Sequence, residues 1–332
     1  MIDRTRLTED LQALVKSLEA DLRERVGGAA DLRAHLDAEW RKGKEARRTS
    51  ESFEEWAESA YTQSAVAWVL ACVFVRYLED NGFLERPYLS GPGPRAEVAR
   101  DHRMEAIRRN PRSNERDYLV GVFEDVGRLP AMGGLLSDRK IPLWSLPLSA
   151  DGAKALYEFW QRRDGSGAIV HDFTDAAGDT RFLGDLYQDL SEAARKRFAL
   201  LQTPVFVEEF LLDRTLDPAI EEFGLAQVTL IDPTCGSGHF LLGAFAQLFD
   251  RRAKLEPARL RTDLAQAVLR QVAGVDLNPY AIAITRFRLL LAALRAAGVQ
   301  RLVRAPAFEM NLATGGAVQE RYQPIGHGRG SS

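Results

Sequence analysis

The sequence predicts an α/β protein: a helical region over residues 1–163, a linker over 164–180, and an open, parallel, doubly wound sheet with its helices over 181–332. Three observations carry this. In the first part, apolar residues recur at three- and four-residue steps, the period of helices that bury one face. In the second, the short apolar runs 227–231 and 271–276 alternate with longer helical patterns, and strands alternating with helices make a parallel sheet. Between the two, Asp164-Gly165-Ser166-Gly167 and Asp175-Ala176-Ala177-Gly178-Asp179 are small, polar and rich in turn residues, the composition of a boundary.

Leu7, Leu11, Leu14, Val15, Leu18 and Leu22 form one stripe with charged residues between them, a helix that Gly27-Gly28 ends. A second helix is expected over residues 31–40. The basic run Arg41-Lys42-Gly43-Lys44-Glu45-Ala46-Arg47-Arg48 follows, read first as a solvated linker and second as a phosphate-contacting patch. Residues 53–79 are strongly helical, with Trp56, Trp68, Phe74 and Tyr77 as core aromatics and Asn81-Gly82 as the stop. Residues 87–94 carry too much proline and glycine for a helix, and helical and irregular segments alternate from there to about Arg163. In the second part, helices are expected over 182–198, from Thr203-Pro204 to about Thr215, from the turn after Ile231 to about Lys254, over 259–269 and over 281–297.

Composition limits the function classes. With 44 Lys+Arg against 47 Asp+Glu the formal net charge is -3, so any nucleic-acid contact must come from a local basic face. Cys72 and Cys235 lie far apart without metal-ligand spacing, which predicts neither a disulfide framework nor a zinc site and points to a reducing cytoplasm. The N-terminus has no apolar signal region, and the longest apolar run, 65–75, is shorter than the roughly 18 residues a membrane helix needs, so no membrane partner is expected.

The chemistry concentrates in Ile231-Asp232-Pro233-Thr234-Cys235-Gly236-Ser237-Gly238-His239-Phe240-Leu241. A strand ends in an acid, turns through two glycines and enters a helix, and in an open parallel sheet ligands bind beyond the carboxyl ends of the strands. Glycine lets the backbone take positive φ and approach a ligand without a Cβ in the way. A dinucleotide fingerprint fails on spacing, because its third glycine would stand at Leu241. The acid also suits an ammonium better than a pyrophosphate, and a methionine moiety carries one. The next strand ends in Gly274-Val275-Asp276-Leu277-Asn278-Pro279-Tyr280-Ala281, where Asp276 can accept from both hydroxyls of a ribose. It lies 44 residues after Asp232, against roughly 20 in a dinucleotide fold, and the intervening helices absorb the difference.

These residues resemble the γ-type amino-methyltransferases, whose motifs run D-P-x-C-G-S-G-x-F-L and G-x-D-x-N-P-x-A, with a T-P-x-x-V element upstream that Thr203-Pro204-Val205-Phe206-Val207, after Gln202, matches. From Phe182 to Leu294, including Leu183-Gly184-Asp185-Leu186-Tyr187, and again through Arg25, the chain is similar to the PglX group of adenine-specific DNA methyltransferases in BREX phage-defence systems of the phage-growth-limitation type. The resemblance implies an incomplete Rossmann-like methyltransferase domain that uses S-adenosyl-L-methionine (SAM) to methylate adenine in double-stranded DNA, in a self-versus-phage system with other defence proteins. It places Thr203 and Pro204 at the methionine end of the cofactor, Asp232 with the turn Gly236, Ser237 and Gly238 at the amino-acid moiety and Asp276 at the ribose, with Pro233, Cys235, Leu277 and Asn278 also among the cofactor-binding residues. His239 reads as a packing or capping residue rather than a base.

The sequence departs from that family at two points. Where an acid should contact the cofactor's adenine ring, after a third strand near Met310-Asn311-Leu312-Ala313-Thr314-Gly315, stands Gly316. The Asn/Asp-Pro-Pro-aromatic motif that holds and stacks a flipped base is missing; Asn278-Pro279-Tyr280 lacks one proline and follows the second strand. No catalytic residue is therefore assigned. The tail Gly326-His327-Gly328-Arg329-Gly330-Ser331-Ser332 reads as unstructured, as if the frame ended early. The expectation is the first part of an adenine methyltransferase, with a non-catalytic SAM-binding or interaction module as the alternative and a protein or small-molecule methyltransferase disfavoured.

Overall fold

The leucine stripe at the N-terminus becomes the buried face of α1 (Arg4–Gly28), where Leu7, Leu11, Leu18 and Leu22 are each at most 1% exposed. The computed structural model describes residues 2–136, 142–175, 178–190 and 203–315 and divides the chain into two units, Met1–Leu201 with Val299–Ala307, and Gln202–Gly298 with Phe308–Ser332.

The first unit continues with α2 (Ala30–Glu45), α3 (Phe53–Asp80), α4 (Arg95–Arg109), α5 (Glu115–Gly127), α6 (Ala150–Trp160) and α7 (Arg181–Leu190). Ser52 and Glu55 form a reciprocal capping box at the start of α3, and the helix stops at Asn81 and Gly82, whose φ of 74° suits glycine. Residues 65–75 lie buried in this helix, as the core of the unit. Toward its end, Arg76 donates to Asp80 at 2.7 Å and to Glu79 at 3.4 Å, all three buried. Glu79 also accepts three consecutive backbone amides, Tyr88 at 2.5 Å, Leu89 at 2.8 Å and Ser90 at 3.2 Å, which fixes the proline-rich loop against the helix. Burial raises the carboxyls of both Glu79 and Asp80, the latter to about 7.

Two expectations change here. The basic run is not a linker throughout: α2 extends to Glu45, held by the i,i+4 pair Arg41–Asp37 and the i,i+3 pair Lys42–Glu39. The boundary also lies later than 164–180. Phe182, Leu183, Leu186 and Leu190 of α7 are buried, and the Phe182 ring packs 6.2 Å from Tyr77 and 6.0 Å from Phe173, so α7 belongs to the first unit. The expected helix over 182–198 runs beyond Leu190 into residues outside those described.

The second unit contains α8 (Val205–Phe223), β1 (Leu230–Asp232), α9 (His239–Leu255), α10 (Arg261–Gln271), β2 (Val272–Asp276), α11 (Pro279–Ala296) and β3 (Asn311–Thr314). The strands form one parallel sheet in the order β1-β2-β3, with Asp232 opposite Gly274 and Asp276 opposite Thr314. Leu241, Phe245 and Leu248 of α9, Leu264 and Val268 of α10, Leu289 and Ala293 of α11 and Leu212 and Leu216 of α8 make its core, each large side chain contributing about 1.5–3 kcal/mol by leaving water. Helix α8 passes the expected end at Thr215 and carries Pro218 inside it before left-handed Gly224 stops it. Strand β1 is shorter than the expected 227–231 because the Gln271 side chain donates to the carbonyls of Leu225 and Val228, both at 2.8 Å.

Candidate functional site

Strands β1 and β2 end side by side, and each ends in an acid. Asp232 caps the turn that leaves β1, its Oδ1 accepting from the Thr234 amide at 3.1 Å. Asp276 reaches across: Oδ2 accepts from the Gly236 amide at 2.9 Å and Oδ1 from the Asn278 amide at 2.8 Å. The carbonyl of Val275 accepts from the Cys235 amide at 2.9 Å, so the glycine turn is tied to β2 at successive residues.

The turn takes its shape from glycine. Gly236 has φ 53° and Gly238 φ 85°, both in the left-handed region that residues with a Cβ avoid. Around Gly236, its own chain neighbours aside, no heavy atom among the described residues lies within 4 Å of where a Cβ would stand, leaving open space on that side of the turn. At Gly238 a Cβ would meet Thr285 Cγ2 at 2.7 Å. Gly274, inside β2, is glycine for packing: a Cβ there would lie 2.5 Å from Leu241 and 2.9 Å from Leu312.

Below the turn, α11 begins with Asn278 as N-cap, its side chain accepting from the Tyr280 amide at 3.0 Å, and Pro279 in the first turn, where its missing N–H costs nothing. Asn278 is fully buried and its cap fixes where α11 starts, so Asn278-Pro279-Tyr280 is a helix start following β2. From the same helix Thr285 donates to the Gly236 carbonyl at 2.8 Å and Arg288 to the Ser237 carbonyl at 2.5 Å. Sequence reasoning missed both. An Arg in an apolar helix reads as a solvated position, yet Arg288 is 2% exposed.

The electrostatics follow from two carboxylates in one place. Burial first, and the charge of Asp276 second, raise the Asp232 carboxyl, against the pull of the Thr234 amide. Burial and both acids push the Cys235 thiol up to about 12, so it packs as a thiol and is no nucleophile. A cation between these carboxylates would be welcome. Beside them, Leu277 is 76% exposed and Ile231 55% exposed, apolar surface at the same strand ends. The Gly315 amide donates to the Asp276 carbonyl at 2.8 Å, bringing the end of β3 to this edge.

The site residues expected from sequence separate into two groups. Asp232, Pro233, Cys235, Gly236, Ser237, Gly238, Asp276, Leu277 and Asn278 sit together at the ends of β1 and β2. Thr203 and Pro204 stand at the entry of α8, and no hydrogen bond among the described residues joins them to either acid; α8 itself packs on α9, with Glu208 and Leu212 against Gly243. His239 is buried in the first turn of α9, behind the N-cap Gly238, which agrees with packing. Gly316, where the ring-contacting acid was expected, and Gln202, which precedes the T-P-x-x-V element, lie outside the described residues. Among the described residues no group of acids, histidines and cysteines could hold a metal ion.

Comparison with known proteins bears on these strand ends directly. Residues 219–312, from late α8 into β3, match the family model described as MmeI, DNA-methyltransferase domain, and so include both acids and the glycine turn. The chain is 46% identical over 325 residues to the adenine-specific methyltransferase PglX of Streptomyces coelicolor, an alignment that covers 95% of this chain. It spans 27% of that relative's length. By sequence the chain is therefore similar over 95% of its length to an adenine-specific methyltransferase, of which it spans about a quarter, and its strand ends lie in the part that matches a DNA-methyltransferase domain.

Proposed function

We propose that this chain binds SAM at the carboxyl ends of β1 and β2 and serves the methylation of adenine's exocyclic amine in double-stranded DNA, as part of a phage-defence, restriction-modification-like system with other proteins. The observation that carries the reading is the pairing of two acids on adjacent parallel strands around a glycine turn with open space at Gly236. The residues fit the cofactor's parts. The Asp232 carboxylate suits the ammonium, the free oxygen lone pairs of Asp276 suit ribose hydroxyls, and exposed Leu277 suits the flat face of adenine. Bound there, SAM supplies an electrophilic methyl group. The chain's own residues bind and orient it: they hold its charged end in a half-buried setting beside a turn whose peptide groups are fixed by Asp276, Thr285 and Arg288.

The similarity to PglX and to the MmeI methyltransferase domain supports the reaction class. A second reading, a non-catalytic SAM-binding module, is favoured by one feature of the structure: Asn278-Pro279-Tyr280 is a buried helix start and not a base-gripping loop. Titration calorimetry tests the shared premise. SAM should bind the wild-type chain, and Asp232→Ala and Asp276→Ala should each weaken it by about 1.5–3 kcal/mol, the range for hydrogen bonds to charged groups. Unchanged affinity in both variants would remove the assignment. Resuming methyl transfer on adenine-containing duplexes when the remaining length of a PglX-type protein is supplied would separate the first reading from the second.

A further inference from the structure

Almost every backbone polar group of the glycine turn is already used. The Cys235 amide goes to Val275, the Cys235 carbonyl accepts from Gly238 at 2.8 Å, and the Gly238 carbonyl accepts from Leu242 at 2.9 Å. The Gly236 amide goes to Asp276, its carbonyl to Thr285, and the Ser237 carbonyl to Arg288. What is left is the Ser237 N–H, which no acceptor among the described residues takes. A buried or half-buried amide without a partner is costly unless something else accepts from it.

The direction of that N–H is not accidental. In a trans peptide the C=O of one residue and the N–H of the next point opposite ways. By holding the Gly236 carbonyl toward α11, Thr285 turns the Ser237 N–H away from α11. Arg288, one turn further along the helix, holds the next carbonyl, so the Ser237 peptide is gripped from both sides. Both gripping side chains are buried, Thr285 fully and Arg288 to within 2%, which locks their rotamers. The α9 helix that follows opens on Gly238 with no side-chain cap and no acid in its first turn.

We propose that Thr285 and Arg288 are positioning residues that aim the Ser237 N–H at the carboxylate of the bound cofactor's amino-acid end. The inference rests on the SAM reading and adds to it the division of labour within the zwitterion: Asp232 takes the ammonium and the Ser237 amide the carboxylate. Neither Thr285 nor Arg288 touches the ligand. They act by fixing two carbonyls.

The test uses two probes that differ at the amino-acid end, S-adenosylhomocysteine, which has it, and methylthioadenosine, which lacks it. Both are titrated by calorimetry into the full chain and into Thr285→Val, Thr285→Ser, Arg288→Met and Arg288→Lys, with thermal melts to confirm folding. Thr285→Val and Arg288→Met should weaken S-adenosylhomocysteine about three- to tenfold, the range for one neutral hydrogen bond. Both should leave methylthioadenosine unchanged, and Thr285→Ser, which keeps the hydroxyl, should restore wild-type binding. Equal losses on both probes would mean a purely structural role, and folded variants with no loss on either would mean that the carbonyls need no holding; each overturns the inference while the SAM reading stands. A wild-type chain that binds neither probe overturns both together. If Arg288→Met does not fold, the near-isosteric Thr285→Val decides alone.

Discussion

The Gly236 amide donates to Asp276 Oδ2 at 2.9 Å, which ties the glycine turn after β1 to the end of β2. One carboxylate thus shapes the turn after β1 and the start of the turn after β2. Asp276→Asn keeps an acceptor oxygen for one of the two amides, Gly236 or Asn278, whereas Asp276→Ala frees both. SAM affinity should therefore fall in the order wild type, Asn, Ala, with a loss of about 1 kcal/mol for Asn and up to about 3 for Ala. Titration calorimetry reads the order; equal losses would show that only the charge matters.

Asp232 should trade stability for binding. Its carboxyl is raised by burial and by Asp276, so the folded state holds its proton more tightly than the unfolded chain does. The stability it contributes is full below its unfolded value of about 3.9 and is lost as pH rises through the raised folded value. At neutral pH the ionised group is a cost. Asp232→Asn can still accept from the Thr234 amide, so it should raise the melting temperature at pH 7 while lowering SAM affinity. A variant less stable than wild type at that pH would contradict the assigned direction.

The two turn glycines should respond differently to alanine. Gly236→Ala meets open space and carries only the left-handed backbone cost of about 1 kcal/mol. Gly238→Ala carries the same backbone cost and also drives a methyl to 2.7 Å from Thr285 Cγ2, so its destabilisation in denaturant titrations should be the larger by about 1–3 kcal/mol.

What the sequence could show follows from how local each device is. Asp232, Gly236 and Gly238 do their work within a few residues of one another, and the N-cap at Asn278 acts on Tyr280, so spacing alone exposes them. Thr285 and Arg288 act on carbonyls 49 and 51 residues earlier, and nothing in a helical pattern says which turn lies above it. The boundary of the first unit is hidden from the sequence for a related reason. The stripe Phe182, Leu183, Leu186, Leu190 shows that α7 buries one face but not which core receives it, and the receiving rings are Tyr77 and Phe173. The glycine-rich stretch 164–167 is a tight turn inside the first unit, closed by Asp164 on Ser166 and Ala168.

His171 should make the first unit acid-sensitive. It is 4% exposed, beside Asp10 at 3.0 Å and stacked 5.1 Å from Phe159, and burial lowers it to about 4 despite Asp10. The unfolded value is about 6.5, so its contribution is full above that pH and is lost as pH falls toward about 4. Asp80, raised to about 7, works in the opposite direction over an overlapping range, so total stability hides the effect. The gap between wild type and His171→Asn removes the shared Asp80 contribution. Measured by denaturant unfolding, it should narrow by about 1 kcal/mol between pH 7 and pH 5.5; a gap that widens would assign His171 the wrong sign.

This chain by itself should bind SAM and transfer no methyl group. Transfer to an exocyclic amine requires the target nitrogen to be held in line with the sulfonium methyl, and such orientation supplies several kcal/mol of the barrier reduction. A base inside a duplex must first be flipped out, then gripped by acceptors and stacked on an aromatic. Asn278-Pro279-Tyr280 cannot serve: Asn278 is fully buried, its oxygen is committed to the Tyr280 amide at 3.0 Å, Pro279 opens α11, and Tyr280 is 5% exposed. Among the described residues no base-gripping group stands beside these strand ends, so a donor bound there as proposed would face no group that orients an acceptor. Incubation with labelled SAM and adenine-rich duplex DNA should give background incorporation, while calorimetry on the same preparation shows SAM bound. Turnover that survives in the isolated chain and disappears in Asn278→Ala would show that the helix start unfolds to grip the base, and the division between binding and catalysis drawn from these strand ends would fall.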